Sequence, residues 1–341
     1  MSSLPFVLVT APLAAYERER LQELACGLHI EVWHAREMGA VSQALWEQTE
    51  VLYTSFATPL PTPAEVPRLR WVQLYSAGPD QVLTHPLFAS EVHFTTTSGI
   101  HAVTIAEHVL TMLLAWFHRL PQLLQWQQRA AWPQRRERAT LFGAEELRGK
   151  TLGIVGYGSI GRELARLADA FGMRVLAMQR GSEHRDPGFV LPGVGDPEGT
   201  LPARYYSPDA LPALLPECDV VVLAAPLTAQ TRGMFDAAAF EAMKRSAFLV
   251  NIARGALCDE AALLRALQEQ RIAGAALDVF EQEPLPAEHA LWKCPNVFIS
   301  PHSSGLSAHY DERAAAVFRE NLRRYLGAEP LLNAVDKAQG Y

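Results

Sequence analysis

The sequence predicts an α/β chain in two parts: a doubly wound parallel sheet in the second half and a smaller parallel α/β part ahead of it. Three observations carry that prediction. Residues 150–162 read Lys-Thr-Leu-Gly-Ile-Val-Gly-Tyr-Gly-Ser-Ile-Gly-Arg, an apolar strand-like run that enters a turn with glycines at 156, 158 and 161. A helical pattern follows at once, with apolar Leu164, Leu167, Ala168 and Phe171. Strand-like and helical stretches alternate on both sides of this turn, the signature of βαβ units. The chain has 341 residues, so enough sequence precedes the turn for a domain with its own core.

In the first part, residues 6–9, 30–33, 51–54 and 71–74 are strand candidates, short runs rich in β-branched, aromatic and aliphatic residues. Residues 5–15 are mildly apolar, but no Lys or Arg precedes Arg18. The basic start of a secretion signal is therefore missing, and 6–9 reads as a first strand. Residues 102–119 are the most apolar helical stretch and are expected as a buried helix between the domains. A polar, Arg-containing arm over 122–147 follows. Beyond the glycine turn, 175–178, 220–225, 248–252, 275–279 and 297–300 are expected as further strands, with a helix over 260–270. Residues 181–207 are rich in Gly, Pro and charge without a clear period, so they are expected as a long surface loop. An amphipathic helix over 308–325 comes last.

Composition narrows the function. A hydrophobic fraction of 49% and a charged fraction of 20% are those of an ordinary soluble protein. The net charge of -7 gives no support to nucleic-acid binding, despite a small basic patch (Arg129, Arg135, Arg136, Arg138) interleaved with Trp126 and Trp132. No apolar run approaches membrane-spanning length. Cys26, Cys218, Cys258 and Cys294 lie far apart with no CxxC pair, which suits reduced thiols in the cytoplasm better than a disulfide framework. His101 and His108 share a helical face, but no third ligand accompanies them, so no metal is expected.

The glycine turn suits a dinucleotide. Gly156 permits the tight turn, Gly158 lets the backbone approach a pyrophosphate, and Gly161 lets the helix pack on the strand. Ser159 and Ile160 open that helix, whose free N–H groups face the phosphate charge. Ligands in such sheets bind beyond the carboxyl ends of the strands. Arg254, Glu283 and His302 sit at or just past three such ends. A histidine can exchange the hydroxyl proton as hydride passes between a nicotinamide and the hydroxyl-bearing carbon. A carboxylate beside it holds the ring, and an Arg fork binds a substrate carboxylate through two hydrogen bonds.

Several segments resemble the D-isomer-specific 2-hydroxyacid dehydrogenases, glyoxylate/hydroxypyruvate reductases among them. They are Asn251-Ile252-Ala253-Arg254-Gly255, Leu277-Asp278-Val279-Phe280-Glu281-Gln282-Glu283-Pro284, Ser300-Pro301-His302, and Ala225-Pro226-Leu227-Thr228-Ala229-Gln230-Thr231-Arg232-Gly233, together with the glycine turn. The likeness runs from about Trp71 to His302. It implies a Rossmann-type sheet over 101–302 and a smaller flavodoxin-like substrate domain made of 1–100 and 303–341, two lobes around a cleft. It also implies catalytic roles for Arg254, Glu283 and His302, with Glu281 as a competing choice for the carboxylate. The backbone of Ser76, Ala77 and Gly78 falls where the family cradles the substrate carboxylate. Ala225, Pro226, Thr231, Ile252 and Ala253 fall on the cofactor, and Asp278 on the nicotinamide amide. Relatives commonly dimerise through the region of the arm, so a homodimer is expected, with the tryptophans as anchors.

An acid at the end of the second strand of such a sheet normally holds the adenine ribose and selects NAD. That place is Gln179, followed by Arg180, which favours NADP(H) over NAD(H). The leading expectation is thus an NAD(P)-dependent 2-ketoacid reductase. The rival is a nucleotide-sensing binding protein of the corepressor type, which keeps the same trio.

Overall fold

The computed structural model describes residues 4–33, 40–338 and 340. The chain divides into two compact units. The first comprises residues 1–101, 187–191 and 307–341, and the second 102–186 and 192–306.

The first unit holds a five-stranded parallel sheet in the order β2-β1-β3-β4-β5. Its strands are β1 (Phe6–Val9), β2 (His29–Val32), β3 (Val51–Thr54), β4 (Trp71–Leu74) and β5 (His93–Thr95). Successive side chains alternate between faces. Val7, Val9, Tyr53 and Trp71 pack with Phe318 and Leu322 of the helix Tyr310–Leu326, whereas Leu8, Leu52, Val72 and Phe94 pack with Trp46, Leu69 and Phe88 on the other side. Tyr53 stacks on Phe318 at 4.4 Å between ring centroids. β5 was not expected from the sequence. It is a three-residue edge strand, too short to show a period.

The second unit holds a seven-stranded parallel sheet, ordered β12-β11-β10-β9-β6-β7-β8. The strands are β6 (Thr151–Val155), β7 (Arg174–Met178), β8 (Arg204–Tyr206), β9 (Val220–Leu223), β10 (Phe248–Asn251), β11 (Gly274–Leu277) and β12 (Val297–Ile299). Leu152, Ile154, Val222 and Val250 face the helices Ala102–Phe117 and Ser159–Ala170; Val155, Val221, Leu223 and Leu249 face Ala237–Ala242 and Glu260–Gln268. Burial on both faces is why these strands read as continuous apolar runs.

Two expectations over this unit need correction. Residues 204–206 are not loop: they form β8, which pairs with β7 through Leu176, Ala177 and Met178. The rest of the 181–207 stretch is tied down as well. Asp196 is buried and accepts hydrogen bonds from the Tyr157 hydroxyl at 2.7 Å and the N–H groups of Thr200 and Leu201 at 3.0 Å. Buried Arg162 donates to the Asp196 carbonyl at 2.7 Å, and Gly195 N–H donates to buried Glu163 at 2.6 Å. Polar groups taken out of water must find partners of this kind. The arm over 122–147 is also more regular than expected, with helices Leu120–Gln128 and Arg135–Phe142. The second opens on a capping box in which Gln134 and Glu137 exchange side-chain and backbone hydrogen bonds.

Candidate active site

All six connected strand ends that carry expected site residues point the same way, because every pairing in the larger sheet is parallel. Gly156 follows β6, Gln179 follows β7, Ala225 follows β9, Arg254 follows β10, Asp278 follows β11 and His302 follows β12. Strand order reverses between β6 and β9, which creates the crevice where such sheets take ligands.

The three glycines of the turn have distinct constraints. Gly156 has φ of 102°, and a Cβ there would lie 2.5 Å from the Ala225 nitrogen, so the turn touches the β9 end directly. At Gly161 a Cβ would lie 2.6 Å from the Gly156 carbonyl oxygen and 2.9 Å from Ile154, which fixes the helix against its strand. At Gly158 a Cβ would meet nothing within 4 Å. Nothing in the protein demands glycine at 158, yet it caps the helix Ser159–Ala170 with no side chain over the exposed N–H groups. That is a cradle for an anionic group brought close to the backbone, and it fits a dinucleotide pyrophosphate. Thr231 supports the neighbouring turn: its hydroxyl donates to the Pro226 carbonyl at 2.7 Å and accepts from Thr228 N–H at 2.8 Å.

At the end of β7, the Gln179 amide donates to the carbonyls of Gly181 and Glu183 at 3.0 and 2.9 Å and lies 2.7 Å from His184 Nδ1. His184 stacks on Tyr205 at 3.6 Å. Gln179 therefore shapes the turn that presents exposed Arg180.

The β10 end launches Arg254. Buried Asn251 accepts from Ala253 N–H at 3.1 Å and donates to the Arg254 carbonyl at 3.0 Å, holding Ile252 and Ala253 in the turn. Gly255 then presses on the backbone of Phe280 and Glu281, where a Cβ would lie 1.9 Å from the Phe280 carbonyl carbon. The Arg254 turn and the segment leading to Glu283 are thus in direct contact. The Arg254 guanidinium donates to the Ala253 carbonyl at 2.7 Å.

Glu283 is gripped at both oxygens. Oε1 accepts from Phe280 N–H at 3.0 Å, and Oε2 lies 2.7 Å from His302 Nδ1. Glu283, rather than Glu281, supplies the carboxylate on this histidine. Nδ1 faces an acceptor-only group, so it carries the proton there and Nε2 is the atom left to exchange one. His302 itself is half-exposed and has φ of 51°, a left-handed position that its backbone holds through a 2.9 Å bond from its N–H to the Asp278 carbonyl.

Asp278 is buried, and both its oxygens are engaged within the chain. Oδ1 accepts from the Ser300 hydroxyl at 2.5 Å and Ser303 N–H at 2.9 Å. Oδ2 accepts from Ser304 N–H at 3.1 Å and from the Ser304 hydroxyl. Ser300 in turn lies 3.3 Å from His108 Nε2. Burial pushes the His108 imidazole below its ordinary range, against the pull of the Asp278 charge. The sequence offered His108 only as half of an incomplete metal pair, and it pointed to none of these serines as site residues. Their only signal was the density of hydroxyls in Ser300-Pro301-His302-Ser303-Ser304.

In the first unit, the Ser76–Gly78 turn is braced internally. Ser76 Oγ donates to the Gly78 carbonyl at 2.7 Å, Gln81 donates to Ser76 Oγ at 2.6 Å, and Thr97 N–H donates to the Ser76 carbonyl at 3.0 Å. The Tyr310 hydroxyl donates to the Tyr75 carbonyl at 2.9 Å, and the Tyr75 hydroxyl bonds Asp311.

Cys258, set among these motifs, is buried and its thiol is pushed up to about 12 by that burial, so it is a packing residue. Among the described residues, no group of three or more His, Cys, Asp or Glu side chains is arranged to hold a metal ion, and no helix is long and apolar enough to cross a membrane.

Known proteins resemble this chain over most of its length. Residues 110–304 match the family described as D-isomer specific 2-hydroxyacid dehydrogenase, NAD binding domain. A glyoxylate reductase of Korarchaeum cryptofilum is 36% identical over 281 residues, covering 81% of this chain and 80% of that one. A (S)-sulfolactate dehydrogenase of Chromohalobacter salexigens is 34% identical over 268 residues, covering 77% and 80%. A solved D-isomer specific 2-hydroxyacid dehydrogenase from Xanthobacter autotrophicus, in complex with NADPH and MES, has a TM-score of 0.77 at 27% identity and covers 99% of this chain and 100% of its own. These matches favour an enzyme over a corepressor-type binding protein. The chain belongs to the D-isomer-specific 2-hydroxyacid dehydrogenase family, and is an NAD(P)-dependent oxidoreductase acting on the CH–OH group of a small hydroxy acid.

Proposed function

We propose that this enzyme works as a 2-ketoacid reductase of the glyoxylate and hydroxypyruvate type, with His302 as its acid. The observation that carries this reading is the 2.7 Å bond between Glu283 and His302 Nδ1, which leaves Nε2 as the proton-exchanging atom. The nicotinamide, when bound, supplies the hydride that C2 of the substrate receives. Arg254 binds the substrate carboxylate and polarises the keto oxygen. The first unit offers the backbone N–H groups of Ser76, Ala77 and Gly78 to a substrate carboxylate. His302 Nε2 gives its proton to the keto oxygen as the hydride arrives, so the product is the 2-hydroxy acid and the oxidised dinucleotide. Glu283 holds the ring and stabilises its positive charge before that step. In the reverse direction His302 takes the hydroxyl proton.

The residues for the dinucleotide are Gly156, Gly158, Ser159, Ile160 and Gly161 at the pyrophosphate, with Ala225, Pro226, Thr231, Ile252 and Ala253 along the β9 and β10 ends. Gln179 and Arg180 face the adenine ribose. An amide at 179 and a guanidinium at 180 favour NADP(H), since neither repels a 2′-phosphate and Arg180 attracts one. The second unit is accordingly the dinucleotide-binding domain and the first the substrate-binding domain. Unpaired cysteines accord with a cytoplasmic enzyme. Leu120, Leu123, Leu124 and Trp132 expose apolar surface along the arm, which accords with a homodimer formed there.

A panel of glyoxylate, hydroxypyruvate, pyruvate and sulfopyruvate, each with NADH and NADPH, tests this reading. It expects turnover with at least one of the first two and a higher kcat/KM with NADPH. Failure across the panel rejects the substrate class, and a preference for NADH rejects the assignment of Arg180.

A further inference from the structure

The turn that follows β4 in the first unit has its carbonyl groups occupied and its donors open. The Tyr75 carbonyl accepts from two hydroxyls, Thr97 at 2.8 Å and Tyr310 at 2.9 Å. The Ser76 carbonyl accepts from Thr97 N–H at 3.0 Å, and the Gly78 carbonyl from Ser76 Oγ at 2.7 Å. Among the described residues, nothing accepts a hydrogen bond from the backbone N–H of Ser76, Ala77 or Gly78. All three residues are half-buried, and donors taken from water need an acceptor. The peptide bonds of this turn are trans, so each carbonyl and the N–H that follows it point in opposite directions. A hold on the Tyr75 carbonyl therefore aims the Ser76 N–H, and a hold on the Ser76 carbonyl aims the Ala77 N–H. Successive N–H groups kept open in this way form a concavity suited to an anion.

We propose that Tyr310 and Thr97 are positioning residues for the substrate carboxylate: their hydroxyls hold the Tyr75 carbonyl from two sides and so aim the Ser76 N–H at the anion. Tyr310 opens the helix Tyr310–Leu326, 235 residues away in sequence, so the aim of this turn is set by the last helix and not by the turn alone. The tie is reciprocal. The rings of Tyr75 and Tyr310 pack at 4.8 Å between centroids, and the Tyr75 hydroxyl bonds Asp311, the next residue of the helix. One turn on, Arg313 donates to the Ile100 carbonyl at 3.2 Å, and the His101 ring lies 5.2 Å from that of Tyr310. The start of the helix is thus fixed at several points around the tyrosine. Burial raises the Tyr310 hydroxyl above its ordinary range, which keeps it a donor at any working pH. A substrate carboxylate carries the same charge before and during hydride transfer. The cradle therefore binds ground state and transition state alike, and misaiming one of its donors raises KM without lowering kcat.

This inference rests on the reading of Ser76–Gly78 as a carboxylate cradle, so the test reads those amides directly. Oxamate, an unreactive analogue of a 2-ketoacid, is titrated into the enzyme loaded with its preferred dinucleotide while amide resonances are followed by NMR. In the parent, the Ser76 and Ala77 amide protons should move downfield as they donate to the oxamate carboxylate. Amides that stay in place reject the cradle, and the proposal with it. Tyr310→Phe keeps the ring and removes the donor. It should weaken oxamate binding and raise the ketoacid KM about three- to tenfold, part of the worth of one hydrogen bond to a charged group. Its kcat and its dissociation constant for the dinucleotide should stay within about twofold of the parent, and the downfield movement of the Ser76 amide should shrink. Thr97→Val removes the second hydroxyl and should give the same split, whereas Thr97→Ser, which keeps the hydroxyl, should restore KM. Parental KM and oxamate affinity in Tyr310→Phe, beside amides that respond in the parent, overturn the positioning role and leave the cradle standing. A loss confined to kcat or to dinucleotide affinity overturns it as well. If Tyr310→Phe does not fold, the contrast of Thr97→Val with Thr97→Ser carries the same decision.

Discussion

Gly158 and Gly161 lie three residues apart in one turn, and the structure requires them to fail in opposite ways when each becomes alanine. At Gly161 the added Cβ would lie 2.6 Å from a carbonyl oxygen and 2.9 Å from the Ile154 methyl, both within the protein itself. Neither neighbour can move without separating the helix from β6. Overpacking of this kind costs about 1–3 kcal/mol. For a domain of 150–250 residues each kcal/mol lowers Tm by about 2–4 °C. At Gly158 the same methyl meets nothing within 4 Å, and the backbone there (φ −87°, ψ −165°) is open to alanine. Gly158→Ala should therefore unfold within about 2 °C of the parent. Its cost appears only when a pyrophosphate needs the space. A clash of about 1–3 kcal/mol corresponds to a ~5- to ~150-fold weaker dissociation constant. Calorimetric unfolding with and without dinucleotide, plus titration by fluorescence, reads both effects. Parental affinity in Gly158→Ala, or a large loss of Tm in the absence of ligand, would refute the claim that this glycine exists for the cofactor.

Further outcomes follow from other parts of the molecule. Arg254→Ala should raise KM for ketoacids and lower kcat together; steady-state kinetics showing an unchanged KM would remove Arg254 from the substrate carboxylate. Asp196 is held below the usual carboxylate range: burial alone would raise it, but the N–H groups of Leu201 and Thr200 and the Tyr157 hydroxyl outweigh that. Asp219 is likewise held low, with Lys244 and Thr151 N–H overcoming its burial. A carboxylate depressed in the folded state contributes stability that is present above its unfolded value, about 3.9, and is lost as the pH falls through the folded one. Urea midpoints should thus stay level from neutrality to about pH 5 and drop below about pH 4. Asp196→Ala should cost about 1–3 kcal/mol at neutral pH and flatten part of that acid limb, with faster hydrogen exchange at Gly195, Thr200 and Leu201. Burial pushes the Cys218 and Cys258 thiols up to about 12. An aromatic disulfide reagent at pH 8 should react with exposed Cys26 first and reach those two only on unfolding.

How much of this was legible in the sequence depended on burial. β6, β9 and β10 are enclosed on both faces, so they appear as Val- and Leu-rich runs that no surface element imitates. β5 and β8 are three-residue edge strands carrying His93, Arg204 and two tyrosines, with neither length nor apolar continuity to mark them. The arm hid its helices differently. Leu120, Leu123 and Leu124 recur at helical spacing, but the Gln and Arg residues around them read as a solvated stretch. The glycine turn and the pairing of Glu283 with His302 were legible because the chemistry ties each to a local motif. The bonds of Tyr157 to Asp196 and of Ser300 to Asp278 were not. Their partners are 39 and 22 residues apart, and only the sheet order brings them together.

His302 Nε2 is the atom proposed to move the substrate proton. Single-turnover reduction of glyoxylate or hydroxypyruvate by His302→Ala, with dinucleotide affinity measured on the same sample, tests it most directly. General acid catalysis is typically worth ~10²- to ~10⁴-fold. A loss in that range is expected, with unchanged dinucleotide affinity. A variant that reduces the ketoacid within a few-fold of the parental rate would contradict it.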